Sequence, residues 1–565
     1  MSYRDQNPAI VSIDNIQEQR FPADFESAFD EAFRFPEPRD KQKPVIETIV
    51  REFVEKDKDV VLLDAPPGFG KSGVINTVLN ILDGKHYYVT PLKSLQDQLV
   101  SDPFIGDDMT EIKGRNNYPC IHDSAGADTT VDEAKCQREE DWDCPIKAEC
   151  PYYAQKARST MDKISVMNMS YMMKVPMTWD PDDGQFCPRD SMTIDECQGI
   201  ESWSISNIGF TVSKFSLPSM VWENVSWPSE RVLEDFDGVV RWVRDEVLES
   251  AREGLAYVAD LPVKDEDQLD AADQLNSFVD RVERFLEDVK ENHWVHNYDV
   301  VIQKNAPNYK KVEFKPIYVG RFLDGLMWDN CDKVLLSSAT IPKGDWLSEV
   351  GLSDRDVTRI SVSSPFPVEN RPIILSEHVG KMTYDERDDN IGDMVETIKA
   401  IAEHHDGEKG IIHCRGYNYV TMFKDYCIKN EMRQWFNENC VVQDRQDREG
   451  SLQEWVEGDK QIFLSVNMAE GIDLKGDKCR WQVLMKTLYP NMSDERVKYR
   501  IQELNDWQWY NNRAVVQIEQ AYGRAVRGPD DHAVFYVLDT SAVDLIKRST
   551  DLFHDWFLEA VDIEL

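Results

Sequence analysis

The sequence has no run of 18 apolar residues, so no segment is expected to cross a membrane as a helix. Its start, MSYRDQNPAIVSIDNIQEQR, lacks the apolar stretch of an export signal, and the chain is expected to stay inside the cell. Basic residues are scarce. Lysine and arginine total 64 against 104 aspartates and glutamates, a net charge of −40. So acidic a chain repels phosphate and excludes broad, non-specific attraction to polyanions. The eleven cysteines include no C-x2–4-C knuckle, the commonest pattern of structural zinc.

What is present is a long globular chain. At 565 residues and 41% hydrophobic it exceeds one core, and three or four structural units are expected. The acid excess runs along the whole sequence instead of collecting in a tail. A globally acidic surface suits concentrated salt, so a halophilic host, or a virus of one, is the expectation from composition.

Residues 65 to 72, APPGFGKS, have the form of a phosphate-binding loop. Gly68 and Gly70 let the backbone curl so that successive N–H groups face one point, at the start of the next helix. Lys71 supplies a charge to the phosphates and Ser72 a hydroxyl for Mg2+. The flanks fit: Val60 to Leu63 reads as a buried strand, and SGVINTVLNIL has helical spacing. Upstream, FRFPEPRDKQ places Gln42 at a helix start, where its amide suits an adenine edge or a helix cap. Downstream, HYYVTPLKSLQDQL reads as a strand and a helix. Thr90, Lys93 and Gln96 there are candidates for a nucleic-acid backbone or ordinary loop and cap residues.

Cys120, Cys136, Cys144 and Cys150 are separated by 15, 7 and 5 residues. Inside the cell such a cluster suggests metal before disulfides. Four thiolates suit a [4Fe–4S] cluster, a zinc ion or two disulfides, and the irregular spacing favours the first. His122 is a substitute ligand or a surface histidine. In SMTIDECQ, Asp195 and Glu196 follow a β-prone run; one carboxylate suits Mg2+, the next an attacking water. Residues 201 to about 315 have helical spacing and charged opposite faces. VLLSSATIP returns to strand, and FPVENRP reads as a linker into a second α/β unit. In that unit Glu470, Gly471 and Asp473 follow an apolar strand. Arg524 and Arg527, three apart in QAYGRAVR, are expected on one helical face, aimed at a cleft or held in surface salt bridges.

The ordered set FPEPRDKQ, APPGFGKS, TPLKSLQDQ, CPYYAQKAR, NMSYMM, DECQ, LSSATIP, SPFPVEN, AEGIDLKG and QAYGRAVR resembles superfamily 2 helicases of the XPD/DinG type, over roughly residues 33 to 540. The resemblance implies an α/β fold of two RecA-like domains with parallel sheets, with a small cysteine-cluster insertion and a helical arch-type insertion. The expected boundaries are a polar leader at 1–33, domain 1 at 34–200 and 316–365, the iron–sulfur insertion at 114–158, the arch at 201–315 and domain 2 at 366–565. It implies 5′-to-3′ unwinding, with single-stranded or forked DNA as partner and ATP, Mg2+ and a [4Fe–4S] cluster as cofactors. Gln42 would contact adenine, and Lys71, Ser72, Asp195 and Glu196 would form the hydrolytic site. Asp473 would link the second domain to the nucleotide. Gln520, Arg524 and Arg527 would meet the γ-phosphate, and the four cysteines would hold the cluster. Trp142, Tyr152 and Tyr153 are stacking candidates or core. The family's acidic motif usually ends in Ala-His, where this chain has Cys197-Gln198. That departure leaves a nucleotide-gated adaptor without unwinding as the alternative function. A zinc-containing nucleic-acid binder with an incidental ATPase is a further one.

Overall fold

The computed structural model describes residues 8–15, 23–123, 125–126, 128–138, 142–175, 177, 185–261, 266–301, 309–466 and 474–562. Runs of β-branched and aromatic residues make β1 (Ala9–Ser12), β2 (Val60–Asp64), β3 (His86–Thr90), β4 (Met109–Glu111), β5 (Ile164–Asn168) and β6 (Arg189–Asp195). β7 (Phe210–Ser213), β8 (Trp294–Val301) and β9 (Tyr309–Pro316) come next, then β10 (Cys331–Ser338) and β11 (Val357–Ser361). The first sheet has the order β1-β11-β2-β10-β6-β3-β5-β4, every pair parallel. Helices cover both faces, so β2, β3 and β5 are buried over their whole length. That double burial is why VVLLD is a continuous apolar run and not an alternation. In register, Ser338 pairs with Asp64 and Ser337 with Asp195. Three strands therefore end together at the carboxyl edge, where open parallel sheets bind ligands.

The second large sheet uses β12 (Ile373–Leu375), β13 (Gly410–His413), β14 (Cys440–Val442), β15 (Ile462–Ser465), β16 (Trp481–Leu484), β17 (Val534–Val537) and β18 (Val561–Asp562). Its order is β14-β15-β13-β16-β17-β12-β18, again all parallel. The two expected α/β units are these two sheets with their helices.

Two expectations need correction. The leader at 1–33, expected outside domain 1, contributes its described residues to that domain. β1 pairs with β11 at the sheet edge, and Phe25 and Phe29 of helix Ala23–Ala32 are buried in the first core. Their spacing of four puts both rings on one helical face. The arch-type insertion is not purely helical either. Helices Phe236–Trp242, Glu249–Ala259 and Glu266–Asp288 pack on an antiparallel sheet β7-β9-β8. Val312, Phe314 and Pro316 alternate inward along β9, a period of two that a strand requires.

One buried ion cluster ties three parts of the chain together. Glu201, close behind the acidic motif, faces Arg496, Arg500 and Arg513. Trp509 Nε1 also donates to its carboxylate, at 3.1 Å. Arg496 donates to the carbonyls of Pro316 and Ile317 at the end of the insertion. Glu349 and Asp506 share the Arg500 guanidinium.

Candidate nucleotide site between two lobes

Helix Lys71–Ile81 begins at the carboxyl end of β2, and the loop before it turns through Gly68 (φ 76°) and Gly70 (φ 86°). Both angles lie in the left-handed region that glycine alone adopts at no cost. The loop is braced on three sides. Arg39 donates to the Gly68 carbonyl at 2.6 Å, and Gln42 Nε2 to the Phe69 carbonyl at 2.8 Å. A Cβ on Gly68 would meet the Phe366 ring at 2.5 Å. Lys71 Nζ rests 3.5 Å from the Ala65 carbonyl.

Gln42 is buried, and its Oε1 accepts the Arg39 N–H at 2.9 Å. Both ends of its amide are thus committed to the loop and to the turn before its own helix. In this conformation it braces the phosphate loop.

At the end of β6, Asp195 is half-buried, with the Tyr88 hydroxyl 3.5 Å from its Oδ2. Tyr88 also reaches Ser72, so it stands between the two candidate cation ligands. Burial and the adjacent Glu196 charge push the Asp195 carboxyl up to about 6, against the pull of Lys71. Ser72 and Asp195 are hard oxygen donors. One or two such groups beside phosphate oxygens are what Mg2+ takes, so the residues fit it. Glu196 adopts φ 53°, turning its side chain toward the cleft mouth. Gln198 Nε2 donates to Glu196 Oε2 at 2.9 Å, and Ser338 Oγ donates to Gln198 Oε1 at 2.6 Å. This amide therefore links the acidic motif to the end of β10.

The second lobe closes this edge. Pro67, Lys71, Glu196 and Thr340 line one cleft with Gln520, Gly523, Arg524 and Arg527. The arginines are not on a helical face as expected. Helix Trp507–Tyr522 ends before them, and they sit on the turn that follows. Gly523 lies under the phosphate loop, where a Cβ would come within 2.6 Å of Pro67. Arg415 donates to Gln517 Oε1 and to the Gln517 carbonyl and so fixes that helix from β13. Asp473, Glu470 and Gly471 lie outside the described residues.

Other candidates fall elsewhere. Thr90 caps its own turn, and Gln96 donates to the Ile112 and Val166 carbonyls in the core. Only Lys93 of that trio is exposed, bonded to Asn117 at 2.7 Å. Tyr152 is a core residue, packed edge-on to Tyr118 and Tyr153. Trp142 is half-buried beside His122, with Lys135 over its ring. Cys120, Cys136, Cys144 and Cys150 are free thiols, and Cys150 is buried in the first core. Among the described residues no three histidine, cysteine or carboxylate side chains are arranged to hold a metal ion. As placed, the four thiols do not fit a cluster.

The sequence pointed to the phosphate loop, the acidic pair and the arginines. It missed Tyr88, Arg39 and Phe366, whose roles arise only where segments distant in sequence meet.

Residues 398–559 match the family described as helicase C-terminal domain. Over 264 residues the chain is 24% identical to ATP-dependent DNA helicase DinG of Photobacterium profundum, a match that covers 43% of this chain. The chain spans about 37% of the length of that relative. A solved structure described as XPD helicase superposes with a TM-score of 0.58 at 15% identity, covering 91% of this chain and 98% of the other. Xpd4 of S. tokodaii gives 0.55 at 14% identity, with 93% and 100% covered. At such identities the structures carry the fold alone. The chain thus carries a region similar to a helicase C-terminal domain, resembles a DinG helicase over part of its length, and shares the two-sheet fold of the XPD structures.

Proposed function

We propose that the chain is an ATP-driven motor that moves along single-stranded DNA and unwinds duplex in the 5′-to-3′ direction. The observation that carries this reading is the single cleft in which Lys71 and Glu196 of one lobe meet Gln520, Arg524 and Arg527 of the other. A nucleotide bound there touches both lobes at once.

The chemistry follows from the positions. The amides of the loop at Gly68 and Gly70 face the phosphates, and Lys71 offsets their charge. Ser72 and Asp195 would hold Mg2+, which would supply positive charge to offset the negative charge developing on the phosphates. Glu196 orients a water and takes its proton as the water oxygen bonds to the γ-phosphorus. The bond from that phosphorus to the bridging oxygen breaks, and ADP is the leaving group. Arg524 and Arg527 stabilise the transferring group from the second lobe. Once phosphate leaves, that cross-lobe contact is gone and the cleft opens. Gln198 carries the change from Glu196 to Ser338 and so to β10. Adenine recognition by Gln42 would require it to exchange its loop contacts for the base.

The cysteines enter as a candidate thiolate set only. Their loops would have to close to hold an iron–sulfur cluster, and no step above runs through it. Anaerobic purification with a broad absorbance at about 400 nm would establish one.

Strand displacement on duplexes with a 5′ or a 3′ tail tests the reading. Unwinding is expected from the 5′ tail alone, with ATP hydrolysis stimulated by single strands. Lys71→Ala is expected to abolish both. DNA-stimulated turnover retained by Lys71→Ala would overturn the assignment. ATP hydrolysis without displacement on either tail would favour the adaptor.

A further inference from the structure

A second cross-lobe connection lies just behind the cleft. Asp64 is the last residue of β2, immediately before the phosphate loop. Glu519 immediately precedes Gln520 on helix Trp507–Tyr522. His554, near the end of the second lobe, stands between them. Its Nδ1 is 2.8 Å from Glu519 Oε2, and its Nε2 is 3.3 Å from Asp64 Oδ1. The His554 backbone N–H also donates to Glu519 Oε1, at 2.7 Å. Arg359 of β11 holds the other side of Asp64 at 2.7 Å and comes within 3.5 Å of His554 Nε2. The Trp556 ring stacks beside the imidazole at 6.2 Å between centroids. The Cys197 thiol faces Asp64 from the acidic motif.

Asp64, Glu519 and His554 are all buried. Each ring nitrogen faces a carboxylate oxygen, and an ionised carboxylate only accepts. The imidazolium, which donates from both nitrogens, is the form that suits two such neighbours. Charge gives the same answer. Two carboxylates and the Arg359 guanidinium leave one negative charge over, and the imidazolium cancels it. Burial by itself would lower the His554 pKa, but the Asp64 and Glu519 charges outweigh it and raise it to about 10.

We propose that His554, as a buried cation clamped between Asp64 and Glu519, is the positioning residue that sets the arginine turn against the phosphate loop in the closed state. The proposal rests on the ATPase reading above. Asp64 is one residue from the loop and Glu519 is five from Arg524, so the clamp fixes both halves of the cleft at their roots. His554 and Asp64 are not part of the cleft lining, whereas Glu519 is. Loss of the clamp therefore acts on how often the lobes reach the closed geometry, which appears in kcat, whereas ATP contacts within the first lobe are kept.

The test uses the full chain and three readouts. His554→Gln keeps the size and removes the charge. ATP turnover on single-stranded DNA is expected to fall at least tenfold in kcat, with KM for ATP changed less than threefold. A distance probe between exposed positions on the two lobes should show less closure with a non-hydrolysable ATP analogue. His554→Arg keeps a cation and should recover part of the kcat. A fall in melting temperature with kcat per folded molecule unchanged would mean a merely structural contact and overturn the proposal. Should His554→Gln not fold, Asp64→Asn, outside the cleft lining, removes the charge on the other side of the imidazolium and should lower kcat alike. In the wild-type protein, histidine-selective NMR should show one imidazolium that persists at pH 8.5; a His554 that titrates near 6.5 would overturn it. Wild-type protein without ATPase activity would sink the motor reading. The NMR and distance arms would still decide the clamp.

Discussion

At the scale of single residues, Gln198 is the position that joins the acidic motif to the end of β10. Its amide has a donor and an acceptor end, and it uses one on Glu196 and the other on Ser338. A histidine does the same only in one tautomer, whereas a glutamine needs no proton placement. The replacement therefore preserves a connection that the sequence put in doubt. Gln198→Ala is expected to leave much of the ATP turnover intact and lower base pairs opened per ATP severalfold. Parallel phosphate-release and strand-displacement assays measure the ratio, and an unchanged ratio would remove Gln198 from the coupling path. The residues legible in the sequence are those tied to a local motif, such as Lys71 and Glu196. Gln42 was legible as a residue that matters but not as a loop brace, because its partner Phe69 lies 27 positions away. His554 carried no local signal, since its meaning comes from two carboxylates that are distant in sequence.

At the scale of elements, the strands were readable because doubly buried strands are plain apolar runs. β1 was not, being four residues at a sheet edge whose partner, β11, follows roughly 350 positions later. The phenylalanines of helix Ala23–Ala32 did carry a helical period and were overlooked in an acidic context. The Arg524 and Arg527 turn was misread because spacing of three fits a helix, and nothing local announces that Gly523 must pass beneath Pro67. The Glu201 cluster shows what holds elements of different units together. One carboxylate serves three guanidinium groups, and burial with the adjacent Arg500 charge lowers Arg496 to about 10. Removing that single negative charge leaves cations without a counter-charge in a dry interface. Breaking such a buried group costs about 3–5 kcal/mol. Glu201→Gln is expected to lower the melting temperature by on the order of 10 °C. Calorimetry reads this directly, and a shift under about 2 °C would mean that solvent already screens the cluster.

At the scale of the whole molecule, 104 acids against 64 bases must be reconciled with a proposed polyanionic partner. The cations seen in the interior, at Glu201 and at Asp64, are consumed by internal pairs and give DNA no basic track. Exposed acids dominate what remains, and they repel one another. The Debye length falls from about 10 Å at 0.1 M salt to about 3 Å at 1 M, so salt relieves this repulsion while buried pairs keep their strength. Stability is therefore expected to rise with potassium chloride, by on the order of 10 °C in melting temperature between 0.1 M and 2 M. For DNA the same logic flattens the usual slope. A protein that neutralises many phosphates loses affinity steeply with salt. A strand held, as proposed, by amides and rings and not by basic side chains should show a shallow dependence. Melting scans and DNA-binding isotherms over one salt series test both halves together. A melting temperature that is flat in salt, or a steep loss of DNA affinity, would show that the acidic surface is locally compensated and that a basic track forms along a path the folded lobes have not revealed.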